Sequence, residues 1–151
     1  MKLDDWADIA QIAQAVLVIV SFGFIVYQIR ASYKLAKSAN TQSLTAHAAS
    51  FNSLLIEHDG VAKLWYSRGK NLEGVDKYRY REMLVQWLII HENIYHQWEN
   101  RLLDDEIYHS WFADLKYTIE HHNLDVIGPN PMGLFPGKFG NHMAQLKREL
   151  K

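Results

Sequence analysis

Imidazoles and carboxylates gather in one short stretch of this chain. Glu92, His96 and Glu99 recur at spacings that put them on one face of a helix, and Glu106 with His109 follows as an E-x-x-H pair. Carboxylates and imidazoles facing each other across two helices are the ligand type of di-iron carboxylate bundles, which use two E-x-x-H pairs. This chain has one, so a second would have to come from another copy. The other reading is that these side chains are solvated or pair with one another on a polar face. The neighbouring His91-Glu92-Asn93-Ile94-Tyr95 misses the H-E-x-x-H zinc motif, because Tyr95 stands where the second histidine belongs. Glu92, flanked by Ile89 and Tyr95, is expected to be partly buried against a Tyr, Trp or backbone donor. His121 and His122 at a helix end suit the C-terminal dipole, with metal binding as the alternative.

No Gly-rich phosphate loop, no G-x-S-x-G elbow and no recognisable Ser/His/Asp signature is present. The absence of cysteine excludes disulfides, thiolate iron-sulfur ligation and a cysteine nucleophile. The expectation is therefore no catalytic residue and no cofactor, with Glu92, His96, Glu99, Glu106 and His109 as the metal alternative. Sixteen basic residues against seventeen acidic ones leave no field to attract nucleic acid.

The elements that would hold these residues are helices. Met83, Trp87, Ile90, Ile94 and Trp98 recur every three to four residues over 77–102, with Leu84, Leu88, His91 and Tyr95 broadening the stripe. Asp104 is placed to cap the next helix, which carries Ile107, Trp111, Leu115 and Ile119 on one face. So short a connection makes the two an antiparallel hairpin. All three prolines and half of the eight glycines fall between Gly128 and Gly140, so 123–139 is expected to be an irregular strap. Its apolar residues, among them Leu124, Val126, Ile127 and Phe135, argue that it packs across the hairpin. A final helix over 141–150 would bury Met143, Leu146 and Leu150. The five tryptophans and eight tyrosines could line a ligand pocket, although at helical spacing such residues usually fill cores.

From Ile9 to Ile29 the chain carries no charge and is mostly Ile, Val, Leu, Phe and Ala. At about 1.5 Å per helical residue this stretch spans roughly 30 Å, the hydrocarbon thickness of a bilayer. Trp6 and Tyr27 flank it where aromatic rings prefer the headgroup boundary. A buried core helix is the alternative. The acidic start, with Asp4, Asp5 and Asp8 against Lys2, disagrees with a cleavable signal. Arg30, Lys34 and Lys37 follow the span, which orients the N-terminus outside and the rest in the cytoplasm, and they are placed to meet lipid headgroups. Within the span, Ala7, Ala10, Gln11, Gln14, Val18 and Ser21 lie along one side. Gln11, Gln14 and Ser21 are the expected contacts with a neighbouring membrane helix. No Gly or Pro interrupts 24–59, so the span is expected to continue as one rod, with Leu44, Ala48, Phe51 and Leu55 as an apolar stripe and His58-Asp59-Gly60 as its stop. A short packed segment over 61–68 and a loop over 69–76 follow. The fold expected is all-α, a transmembrane anchor over 1–30 and a cytoplasmic helical domain over 31–151.

The step Val26-Tyr27-Gln28-Ile29-Arg30, the run Glu92-Asn93-Ile94-Tyr95-His96-Gln97, then Leu102-Leu103-Asp104-Asp105-Glu106 with Trp111, and Phe135-Pro136-Gly137-Lys138-Phe139 together resemble a widespread family of small, uncharacterised bacterial membrane proteins. Members commonly carry Gly just before the Leu-Leu-Asp step, where this chain has Asn100 and Arg101. The resemblance implies a bacterial inner-membrane, single-pass, all-helical protein and carries no catalytic residues. Two functions are expected from this: a non-enzymatic interaction or scaffold module that self-associates as a homo-oligomer or docks on a membrane-protein partner, or an anchored enzyme or sensor whose hairpin holds a metal or small ligand.

Overall fold

The computed structural model describes residues 3–150, with side chains from Ala10 onward, and every regular element among them is helical. The calls on Lys2, Asp4, Asp5, Trp6, Ala7 and Asp8 lie outside the described side chains. Helix α1 (Leu3–Glu57) is followed by α2 (Asp59–Tyr66), α3 (Gly74–Glu99), α4 (Asp105–His121), two 3-10 turns (Leu124–Val126 and Pro131–Leu134) and α5 (Lys138–Glu149). By its contacts the chain divides into two compact units, residues 1–39 and 40–151.

In the first unit, α1 is long and apolar enough to cross a membrane, and no side chain in its most apolar window is buried. Ala10, Gln11, Gln14, Val18 and Ser21 are all exposed, as are Arg30 and Lys34, while Lys37 is half-buried. Ser21 Oγ donates to the Leu17 carbonyl one turn back at 2.7 Å, so its proton is used within its own helix.

The second unit is built on the α3–α4 hairpin. Its register is antiparallel: Trp98 stacks on Tyr108, His91 pairs with Asp114, and Tyr80 bonds His122. The hairpin corner is a Schellman closure in which Arg101 N–H donates to the Trp98 carbonyl and Leu102 N–H to the Gln97 carbonyl, each at 2.8 Å. Arg101 sits at φ 61°, the left-handed conformation that glycine adopts most cheaply, so the helix ends at Glu99 rather than at Leu102. Asp104 is at the N-cap of α4 and its carbonyl takes the Tyr108 N–H at 2.9 Å.

Leu84 and Leu88 of α3, Leu115 and Ile119 of α4, and Phe139 and Met143 of α5 form the main core. Full burial of side chains this size contributes roughly 1.5–3 kcal/mol each. The 123–139 segment closes that core as expected: Leu124, Val126, Ile127 and Phe135 are buried, whereas Leu134 is half exposed. On α1, Leu44 is buried in a smaller cluster with Ile94, Leu103 and Tyr108, and Ala48, Phe51 and Leu55 are half-buried along the same stripe.

Besides α3, which runs Gly74–Glu99 where 77–102 was expected, two further boundaries differ from the sequence reading. The rod stops at Glu57, but of the expected stop His58-Asp59-Gly60 only His58 is extended; its carbonyl accepts from Val61 and Ala62, and Asp59 and Gly60 already belong to α2. An acidic residue suits that first turn. Helix α5 begins at Lys138 because Gly140 lets the helix press on the preceding backbone; a Cβ there would lie 1.9 Å from the Phe135 carbonyl oxygen.

Candidate functional site

The polar groups that the fold gathers are not those that share a helix face in the sequence. Trp87 and His91 lie one turn apart on the buried side of α3, and both reach Asp114 of α4. The Trp87 indole N–H donates to Asp114 Oδ2 at 3.1 Å, and His91 Nε2 lies 3.0 Å from the same oxygen. His91 is 2% exposed. The Trp87 and Trp111 rings meet it edge-on at 5.5 and 5.8 Å. His91 is sealed from solvent, and its bond to the half-exposed Asp114 ties α3 to α4.

About two turns further along the hairpin, the Tyr80 hydroxyl and His122 Nδ1 share a hydrogen bond of 2.8 Å. The His122 ring packs 4.4 Å from Trp65 of α2. Burial, with the Arg68 guanidinium adding to it, pulls the His122 imidazole down to about 4, so it is neutral at physiological pH. Burial also pushes the Tyr80 hydroxyl well above its ordinary range. Arg68 itself donates to the Tyr117 hydroxyl at 3.0 Å and lies 5.9 Å from that ring's centre.

Of these residues Trp65, Trp87, Trp111, Asp114, Tyr117 and His122 line a cavity of about 380 Å³ within the second unit. Phe51, Trp65, Trp87, Trp111 and Tyr117 supply its aromatic wall, and Asp114, His122, Asn52 and Ser110 its polar groups. Phe51 is wedged at 5.0 Å from Trp65 and 4.6 Å from Trp87, so the wall is held by ring-on-ring packing.

The five candidate metal ligands do not assemble. Glu92 Oε1 and His96 Nε2 are 4.0 Å apart, one turn along the same helix. Glu99 is bonded instead to Lys138 of α5, and that carboxylate raises the lysine's proton affinity. Glu106 and His109 are exposed. Among the described residues no group of three or more His, Asp or Glu side chains is placed to hold a metal. Glu92 is half-buried, with His96 as its partner and not a Tyr, Trp or strap donor. His121 Nδ1 lies 3.0 Å from the Tyr117 carbonyl in the last turn of α4, in keeping with the C-terminal expectation, while His122 turns inward to Tyr80.

Comparison with protein-family models, curated proteins and solved structures finds no match.

Asp114 is the functional candidate that the sequence reading missed. Its signal was present: a carboxylate between Trp111 and Leu115, on the edge of an apolar helix face, requires a partner on the element packed against that face. His91, read as one more member of the α3 stripe, is that partner.

Proposed function

We propose that this protein is a membrane-anchored, non-enzymatic helical module of the bacterial inner membrane, which self-associates or serves as an accessory subunit on a membrane assembly. The observation that carries the reading is the first unit: over residues 10–29 there is no charge, and the side chains lie uncovered on every face of the helix. A soluble protein does not leave so large an apolar surface in water, whereas lipid is matched to it. The basic residues Arg30, Lys34 and Lys37 after the span favour an N-terminus outside and a cytoplasmic helical domain. The resemblance to small bacterial membrane proteins agrees with this reading.

The acid-base groups of the helical domain support the non-enzymatic half of the proposal. Asp114 is committed to Trp87 and His91, His122 to Tyr80, and Glu99 to Lys138. For self-association, Gln14 is the deepest amide of the span, and lipid offers it no hydrogen bond.

Single cysteines test both halves, since the chain has no native thiol. With Lys2→Cys and Lys70→Cys in intact cells, an impermeant reagent should label position 2 only; labelling of position 70 alone reverses the topology. Disulfide crosslinking should be stronger for cysteines at 14 and 18 than at 16 and 20. Equal efficiency, or a monomer by light scattering in mild detergent, removes the self-association reading. A mild-detergent pull-down with mass spectrometry distinguishes a homo-oligomer from an accessory subunit.

A further inference from the structure

We infer that the aromatic cavity beside Asp114 is a binding site for a small organic cation of the quaternary or alkylammonium class. The proposal concerns the second unit alone and does not depend on whether the protein self-associates.

The composition of the cavity selects the ligand. Its wall includes Phe51, Trp65, Trp87, Trp111 and Tyr117, and the negative faces of such rings attract a cation, including one that has no proton to give. Asp114 is the only formally charged residue among the described lining side chains. His122 also lines it and is neutral near pH 7.

The carboxylate is arranged to serve two functions. Both protein donors, Trp87 Nε1 and His91 Nε2, take the same oxygen, Oδ2. Among the described residues none donates to Oδ1, and the Asp114 side chain is 43% exposed where it lines the cavity. The carboxylate therefore anchors the hairpin through one oxygen while the half-exposed group lends its negative charge to the cavity it lines. The rings are braced against each other before any ligand arrives, which lowers the ordering cost of binding. Arg68, lying against Tyr117 outside the lining set, shows that this wall already attracts a cation.

A cation of this class could be a free solute or the choline headgroup of a lipid. The test uses the full chain in nanodiscs of phosphatidylglycerol, titrated at constant ionic strength with choline chloride and followed by tryptophan fluorescence. Choline should saturate, and 3,3-dimethyl-1-butanol, its uncharged isostere, should bind at least about tenfold more weakly. Asp114→Asn retains an oxygen for Trp87 and His91 and places an amide where Oδ1 was; it should weaken choline by about tenfold or more and leave the isostere unchanged. Repeating the titration in phosphatidylcholine nanodiscs separates the sources: a lower apparent affinity there assigns the site to a lipid headgroup, and an equal one to a free solute. Equal binding of choline and its isostere to the unaltered chain, or no saturation by choline in phosphatidylglycerol, overturns the proposal. The isostere comparison decides the matter even if Asp114→Asn fails to fold.

Discussion

The α3–α4 hairpin carries two sets of the same residue types with opposite fates. Asp114, His91 and His122 lie among tryptophans and are held across the hairpin, Asp114 by both Trp87 and His91 and His122 by Tyr80. Glu92, His96, Glu99, Glu106 and His109 lie on half-buried or exposed positions, and the contacts they make are a lone i,i+4 pair and a surface lysine. The difference lies in what the facing element presents, not in spacing along the helix. What sets Asp114 apart is the pair of buried-side donors, Trp87 and His91, that the facing helix presents to it, since its own side chain is 43% exposed against 25% for Glu92.

The largest effect expected from this contrast is on removing the anchor of the buried set. Asp114→Ala deprives the His91 ring and the Trp87 indole of their acceptor, and an unsatisfied buried donor costs roughly 1–3 kcal/mol. A loss of about 3 kcal/mol is expected in thermal unfolding of the full chain in detergent. Glu106→Ala and His109→Ala should each stay within about 0.5 kcal/mol. If Asp114→Ala matched those surface changes, the distinction between the two sets would fail.

Proton uptake should separate the sets next. His122 is held at about 4 in the folded chain and returns to about 6.5 on unfolding. Between those values the unfolded state binds a proton that the folded state refuses, so stability is full above about pH 6.5 and falls as pH drops toward 4. Each unit is worth about 1.4 kcal/mol, and solvent access through the cavity reduces the total to about 2 kcal/mol. His122→Gln, whose side-chain oxygen still accepts from Tyr80, should flatten that slope.

A smaller effect is expected at the corner joining the two helices. Arg101 adopts a left-handed backbone that a side chain disfavours by roughly 1 kcal/mol. Arg101→Gly should raise stability by up to about 1 kcal/mol, less whatever the arginine side chain contributes, and unfolding midpoints would show it. A loss would mean that the side chain's own contacts outweigh the strain.

The helices were legible because their signal is periodic and local, and the apolar residues of 124–135 identify a segment that packs. The stripes name the core only in part, since Trp87, Ile94, Leu115 and Ile119 are buried but Met83, Ile90, Trp98, Ile107 and Trp111 are half-buried, and Tyr80 and Tyr108 join the core from outside them. The boundaries at Gly60 and Lys138 were not legible, because each depends on a backbone contact made outside the helix, such as the approach of Gly140 to the Phe135 carbonyl. The cavity was least legible. Trp87 and Asp114 are far apart in sequence, and which α3 residue meets which α4 residue follows from the register that Arg101 and Leu102 set at the corner. The E-x-x-H spacing was conspicuous because it is local, and for that reason it carried no information about what lay opposite.

The smallest effect expected is on metal binding by the open face. A di-iron type site needs carboxylates free to bridge, but the Glu99 carboxylate is bonded to the Lys138 ammonium, and a cation entering there would have to displace it. Glu106 and His109 are exposed beyond the turn and are not joined by a third ligand among the described residues. Titration of the full chain with zinc, manganese or ferrous ion should therefore give no saturable stoichiometric uptake, and Glu99→Ala with His109→Ala should change neither metal content nor unfolding temperature appreciably. Stoichiometric metal in the purified protein that disappears in the double variant would break the contrast. It would mean that a second copy completes the E-x-x-H set, and the face read as solvated would become the functional one.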